Sequence, residues 1–279
     1  MSTRRNYWDV YMPSVPLAIV TTSVFALLTL WHGWRLIKAR TWFCLPVFIG
    51  GLFEVVGFAF RAVGHYNPYT LVPYIIQALT ILLAPIFFAA SVYMILGRLI
   101  CATGSEEYSI IRVTRVTKIF VGGDVFCFLL QMVGAAFLAS AKSKKSNDVG
   151  KMIILIGLIV QIVIFSFFLV VSMIFHRRLL HKPTDLSRST KLNWKRFLFE
   201  LYTVSGLITL RNLFRVIEYA QGKGGYFLSR EWPIYVLDAL PMAVVVAICV
   251  FWHVGRVEDI QSTDVELNES FQEPSSPRK

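Results

Sequence analysis

Charge is scarce in this chain: 16% of its 279 residues are Asp, Glu, Lys or Arg, against 56% hydrophobic, whereas a soluble domain carries about 25% charged residues. Cysteine is scarce as well. Cys44, Cys101, Cys127 and Cys249 have no C-x-x-C or His–Cys spacing, so neither a disulfide framework nor a metal site is expected and they read as small packing residues. No G-x-x-x-x-G-K-[ST] occurs, which excludes nucleotide hydrolysis by that route. There is no H-E-x-x-H, no paired histidines and no spacing that suggests a catalytic triad. His65, His176, His181 and His253 fall at the ends of apolar runs, where an imidazole reaches the interface. No enzymatic activity and no cofactor are expected.

What the chain has in quantity is long apolar runs. Seven of them, at about 14–36, 42–64, 71–100, 119–141, 152–175, 197–220 and 232–254, approach or exceed the roughly 20 residues that an α-helix needs to cross hydrocarbon. Lipid offers no partner to a backbone N–H or C=O, so each run is expected to be helical. The fold class is all-α, a bundle of seven transmembrane helices over 14–254. Residues 1–13 form a short head, and 255–279, rich in Glu, Asp, Ser and Pro, read as a disordered tail. The head has no short apolar core followed by small residues, so the first span is expected to act as its own insertion signal. The seventh run contains no lysine, so it offers no amine for a retinal Schiff base.

Orientation follows from basic residues. Assigning loops alternately to two sides places seventeen Lys and Arg on one and eight on the other, which by the positive-inside rule puts the N-terminus outside and the C-terminus in the cytoplasm. The formal charge of +11 is then accounted for by topology and anionic inner-leaflet lipid, with no nucleic-acid partner implied. The Asn268-Glu269-Ser270 sequon lies in the cytoplasmic tail of this scheme, where it meets no glycosylation machinery.

Charges do occur inside the runs, and an ionised group at mid-membrane costs at least about 2.5 kcal/mol, so such groups face the bundle interior and find partners. Glu54 and Arg61 lie on one face of the second span but roughly 10 Å apart along it, so each needs a partner from another helix. The sixth span supplies Arg211, Arg215 and Glu218 at i, i+4, i+7, with Arg215 and Glu218 a local pair. The seventh supplies Tyr235 and Asp238, the third Gln77, and the fourth Asp124 and Gln131. By depth, all but Asp124 fall in the middle or the outer half. An outward-biased cluster from spans two, three, six and seven, suited to a polar or zwitterionic headgroup, is expected; the alternative is a set of interhelical locks with no ligand. Pro85 and Pro241 loosen backbone hydrogen bonding locally, and Gly50-Gly51, Gly122-Gly123, Gly134 and Gly157 permit close packing of helices.

At these positions the chain resembles the fungal RTA-like, or lipid-translocating exporter, family of seven-helix proteins. The likeness runs from about Trp42 to Gly255. It includes the run Phe53-Glu54-Val55-Val56-Gly57-Phe58-Ala59-Phe60-Arg61, then Gln77 with Leu83-Ala84-Pro85-Ile86-Phe87-Phe88-Ala89-Ala90-Ser91-Val92-Tyr93 and Gly97-Arg98. Further on come Asp124 with Gln131 and Gly134, Gly157 with Gln161, Arg211-Asn212-Leu213-Phe214-Arg215-Val216-Ile217-Glu218-Tyr219, and Glu231 with Tyr235 and Asp238. The family's usual closing His-Pro-Gly is His253-Val254-Gly255 here. The resemblance implies a plasma-membrane or endomembrane protein that moves, or confers resistance to, amphipathic molecules such as sphingoid long-chain bases, sterol-like toxins or porphyrins. Its partner is then a membrane lipid or an amphipathic small molecule. A receptor-like sensor that binds such a molecule and signals through the basic loop 175–196 is the rival from another class.

Overall fold

A computed structural model describes residues 12–109, 113–140, 144–184, 194–222 and 225–251. The expected head and tail, and the His253-Val254-Gly255 ending, lie outside them. Six long helices and one composite helical segment follow in order: α1 (Val15–Ala39), α2 (Leu45–Tyr66), α3 (Leu71–Ala102), α4 (Val113–Ser140), α5 (Lys144–His181) and α6 (Trp194–Gln221), then a single turn α7 (Tyr226–Ser229), a π-helical turn Ile234–Ala239 and α8 (Leu240–Phe251). The π turn and α8 together are the seventh span. Among the described residues there is no β-strand.

Boundaries follow local chemistry. Pro16 sits in the first turn of α1 and Pro46 in the first turn of α2, positions where a missing N–H costs nothing. Arg40 closes α1 in the left-handed region (φ 52°), its N–H reaching back to the Ile37 carbonyl at 3.3 Å. A 3-10 turn, Trp42–Cys44, then leads into α2. Several helices outrun the apolar stretches that announce them. The 38 residues of α5 span about 57 Å, far more than a bilayer's hydrocarbon thickness, because the flanking Lys, Arg and Asn residues continue the helical hydrogen bonds in water.

The helices close a ring. Each packs on its neighbour in sequence, and α1 meets the seventh span. The third helix is the interior one: it touches α2, α4 and α6, and two-thirds (67%) of its most apolar stretch is buried, against 22% for α1. Lipid tails are as apolar as leucine, so no hydrophobic drive holds such helices together and close approach must do it. A Cβ at Gly57 would stand 2.5 Å from the Ile81 side chain, and one at Gly134 would meet the Gly150 carbonyl at 2.9 Å. Gly50, Gly51, Gly123 and Gly157 are likewise occluded, but Gly122 faces nothing within 4 Å; the second glycine of that pair is the packing one.

By length and composition five helical stretches are able to cross a membrane, namely α1, Trp42–Tyr66, α3, α4 within Arg115–Leu138, and α5 within Lys145–His181. The sixth falls short because Arg211, Arg215 and Glu218 interrupt its apolar residues, and the seventh, apolar over Ile234–Val250, is only slightly too short. The chain is a polytopic helical membrane protein, and buried charges lie in its second, fourth, sixth and seventh spans.

Candidate functional site

Asp238 lies in the π turn Ile234–Ala239, where the Leu240 N–H bonds the Tyr235 carbonyl five residues back. Pro241 follows at once. It has no N–H to offer the preceding turn, and a turn widened to i−5 accommodates that gap. From this turn the Asp238 carboxylate bridges two arginines of α6: Oδ1 accepts from Arg211 Nε at 2.5 Å, and Oδ2 accepts from Arg215 Nη2. Arg215 Nη1 donates in turn to Glu218 Oε2 at 3.0 Å. Arg211 and Asp238 are 1% exposed, so the network is held away from solvent and each charge rests on its neighbours.

Arg211 also reaches α3, where its Nη2 donates to the Ile81 carbonyl at 2.7 Å. In an unbroken helix that carbonyl would accept the N–H of residue 85. Residue 85 is Pro85, which has none, so the arginine supplies the missing donor.

A second group of bonds sits nearer the end of the bundle where α1 begins. Glu231, just ahead of the seventh span, accepts at Oε1 from Arg61 Nη2 (3.2 Å), the Tyr235 hydroxyl (3.0 Å) and the Ser14 backbone N–H (2.8 Å). Arg61 Nε donates to the Tyr235 hydroxyl at 3.1 Å, and its guanidinium lies 5.5 Å from the centre of that ring. Close by, His65 Nδ1 donates to the Pro13 carbonyl at 2.7 Å.

Glu54 behaves differently. It is 1% exposed, and neither carboxylate oxygen has a hydrogen-bond partner among the described residues. The charged groups it senses are Asp238, Arg211 and Arg215. Gln77 lies one turn before Ile81 on α3, buried, with its side-chain oxygen also without a partner. Asn212 is in the same condition on α6. Unsatisfied buried polar atoms are uncommon in folded proteins, and α2, α3 and α6 each contribute at least one, Arg215 Nε among them.

Asp124 and Gln131 stand apart. Asp124 accepts from the Tyr93 hydroxyl at 2.8 Å between α3 and α4, among Phe120, Phe165 and Phe168, which ring Tyr93. Gln131 donates to Gln161 at 2.9 Å between α4 and α5.

Residues 47–260 match the family described as RTA1 like protein. The chain belongs to that family. Two Saccharomyces cerevisiae relatives are more than one-third identical: Protoporphyrin uptake protein 1, at 38% over 77% of this chain and 70% of the relative, and Protein RTA1, at 37% over 73% of this chain and 63% of the relative. The chain therefore spans less than two-thirds of the latter. The yeast Sphingoid long-chain base transporter RSB1 is 22% identical over 95% of this chain and 78% of the relative. No solved structure matches.

Of the residues singled out from sequence, Arg211, Arg215, Glu218 and Asp238 form one hydrogen-bonded unit with Glu54 beside it, and Arg61 with Tyr235 forms the second. The partner expected for Glu54 on another helix is absent as a hydrogen bond, since Asp238 engages both nearby arginines. The residue missed as a site member is Glu231. It stands one position outside the apolar run, but it lies one helical turn before Tyr235, and Arg61 required an acid from elsewhere; those two signals together point to it.

Proposed function

We propose that this chain translocates amphipathic molecules across a cellular membrane, with the buried charge network as the place where the cargo's polar head is received. The observation that carries this reading is Glu54: a carboxylate buried in the bundle, without a hydrogen-bond partner, beside two arginines and an aspartate. A purely structural lock closes on itself, whereas this one leaves acceptor capacity over. The names of the yeast relatives support the class of cargo, since protoporphyrin and a sphingoid long-chain base each combine an apolar body with ionisable groups. In this reading Glu54, Arg61, Gln77, Arg211, Arg215, Glu218, Tyr235 and Asp238 line the receiving site, and Asp124 and Gln131 hold α3, α4 and α5 together. The protein is not an enzyme, it resides in the plasma membrane with its N-terminus outside and C-terminus in the cytoplasm, and with no nucleotide motif its transport is downhill or ion-coupled.

Purified protein in liposomes, given a fluorescent sphingoid long-chain base in the outer leaflet, tests it. Expected is faster loss of quencher-accessible label than in empty liposomes, with saturation. Saturable binding with no faster movement would instead make the chain a lipid sensor.

A further inference from the structure

The charged residues of the network can be counted in pairs. Among the described residues, three cations, Arg61, Arg211 and Arg215, face three hydrogen-bonded anions, Glu231, Asp238 and Glu218. Glu54 is a fourth carboxylate with no cation of its own. An ionised Glu54 would leave the site with one buried negative charge in excess, neither paired nor hydrogen-bonded, and that is the least favourable arrangement in a water-free interior. With a proton on Glu54 the site is neutral. Among the described residues, the helices packed on α2 present few charges: α3 the uncharged Gln77, the seventh span Asp238, and α1 Thr29 against Gly51 with His32 held at the Cys44 carbonyl, while Arg211 and Arg215 of α6 act on Glu54 electrostatically.

We propose that Glu54 is a proton-binding site that couples cargo movement to a proton gradient, an inference that rests on the translocation reading above. In the arrangement described, the carboxyl group holds its proton and Asp238 holds both arginines. Release of the proton to water leaves a carboxylate, which draws a guanidinium of Arg211 or Arg215 away from Asp238. If Arg211 moves, the Ile81 carbonyl loses the donor that replaces the N–H missing at Pro85, so α3 and the seventh span both adjust. Uptake of a proton from the other side reverses these exchanges. No bond in the cargo is made or broken, and the proton that enters at one face leaves at the other. Intramembrane carboxylates with changeable partners are the usual carriers in proton relays.

Two measurements on the full chain separate this proposal from the reading beneath it. Infrared difference spectra of wild type against Glu54→Gln, reconstituted in phosphatidylcholine liposomes, report the site itself. A protonated-carboxyl C=O band present at neutral pH in wild type and missing in E54Q is expected; identical spectra in that region overturn the proton site. Glu54→Asp gives the same answer should E54Q fold poorly, with a protonated-carboxyl band shifted from its wild-type frequency expected and a spectrum identical to wild type in that region overturning the site. The second measurement follows the labelled long-chain base in wild-type liposomes with and without an imposed pH gradient. Several-fold acceleration that a protonophore abolishes is expected, and equal rates overturn the coupling. No movement under any condition, with the infrared band present, instead overturns the translocation reading, and the coupling role falls with it.

Discussion

Arg211 donates to the main-chain carbonyl of Ile81, across from α6 to α3, at 2.7 Å. The bond joins two features that a sequence lists separately, an arginine inside an apolar run and a proline inside a helix. The energetic logic is mutual: the carbonyl exposed by Pro85 needs a donor, and the guanidinium, with five N–H groups, has donors beyond those that one carboxylate takes.

This mutuality is testable by a double-mutant cycle. Pro85→Ala restores the N–H and lets Ile81 bond within its own helix. Arg211→Lys should therefore destabilise the wild-type background more than the Pro85→Ala background, with a coupling energy in the range of about 0.5 to 3 kcal/mol for residues that share a partner. Thermal unfolding of the four purified proteins in detergent measures it, and strictly additive losses would show that Arg211 is not serving the gap.

The bridging of two arginines by Asp238 sets a hierarchy among the acids. Asp238→Asn should be the most damaging neutralisation, about 3 to 5 kcal/mol, because two buried cations lose a partner. Glu218→Gln should cost less, since Arg215 retains Asp238. For the same reason the exchange Arg215→Asp with Asp238→Arg should fail to rescue stability: it brings the new arginine against Arg211. Recovery in the exchanged protein would mean that the two arginines are not held by one carboxylate.

Close packing of α2 on α3 predicts a contrast between two glycines. Gly57→Ala places a methyl 2.5 Å from Ile81 and 2.8 Å from the Thr80 hydroxyl, and should destabilise by about 1 to 3 kcal/mol as an overpacked contact does. Gly122→Ala meets nothing within 4 Å and should be neutral or stabilising by up to about 1 kcal/mol, the gain from replacing a mid-helix glycine. Melting temperatures of the pair in one detergent decide it, and equal losses would contradict the helix separation described.

The orientation drawn from seventeen basic residues against eight predicts an N-terminal tag that antibodies reach on intact cells and a C-terminal tag that they reach only after permeabilisation. The opposite pattern would invert the bundle. It would also move Arg61 and Glu231 to the cytoplasmic end.

Apolar length made the helices legible in the sequence, because lipid leaves the backbone no other choice, and the cost of buried charge made Arg211, Arg215 and Asp238 legible as one site. Glu218 was legible too, from its spacing to Arg215. Which acid takes which arginine was not. Pairing depends on the rotation of each helix about its axis, set by contacts such as Gly57 against Ile81 that no charge pattern encodes. Hence Glu54 came out without the partner expected for it, and Glu231, one residue outside the apolar run, was marked by the family resemblance alone and not as a member of the site. The π turn gives no periodic signal; Pro241 hinted at a backbone adjustment without saying which. Asp124 carried the same intramembrane signal as the rest, yet its answer is Tyr93, a neutral donor whose hydroxyl a scan for opposite charges passes over.

One oxygen of Glu231 receives the Ser14 amide, Arg61 and Tyr235, joining positions 217 residues apart in the chain. During synthesis the first span enters the membrane long before the seventh exists, and at about 5 to 20 residues per second the interval is tens of seconds at the slow end. Throughout it the α1 entrance and Arg61 are held without this acid. The bundle therefore completes its ring last at the place where its first residues began, and a chain stopped before Glu231 is left as an open crescent whose edges a chaperone or a protease meets first.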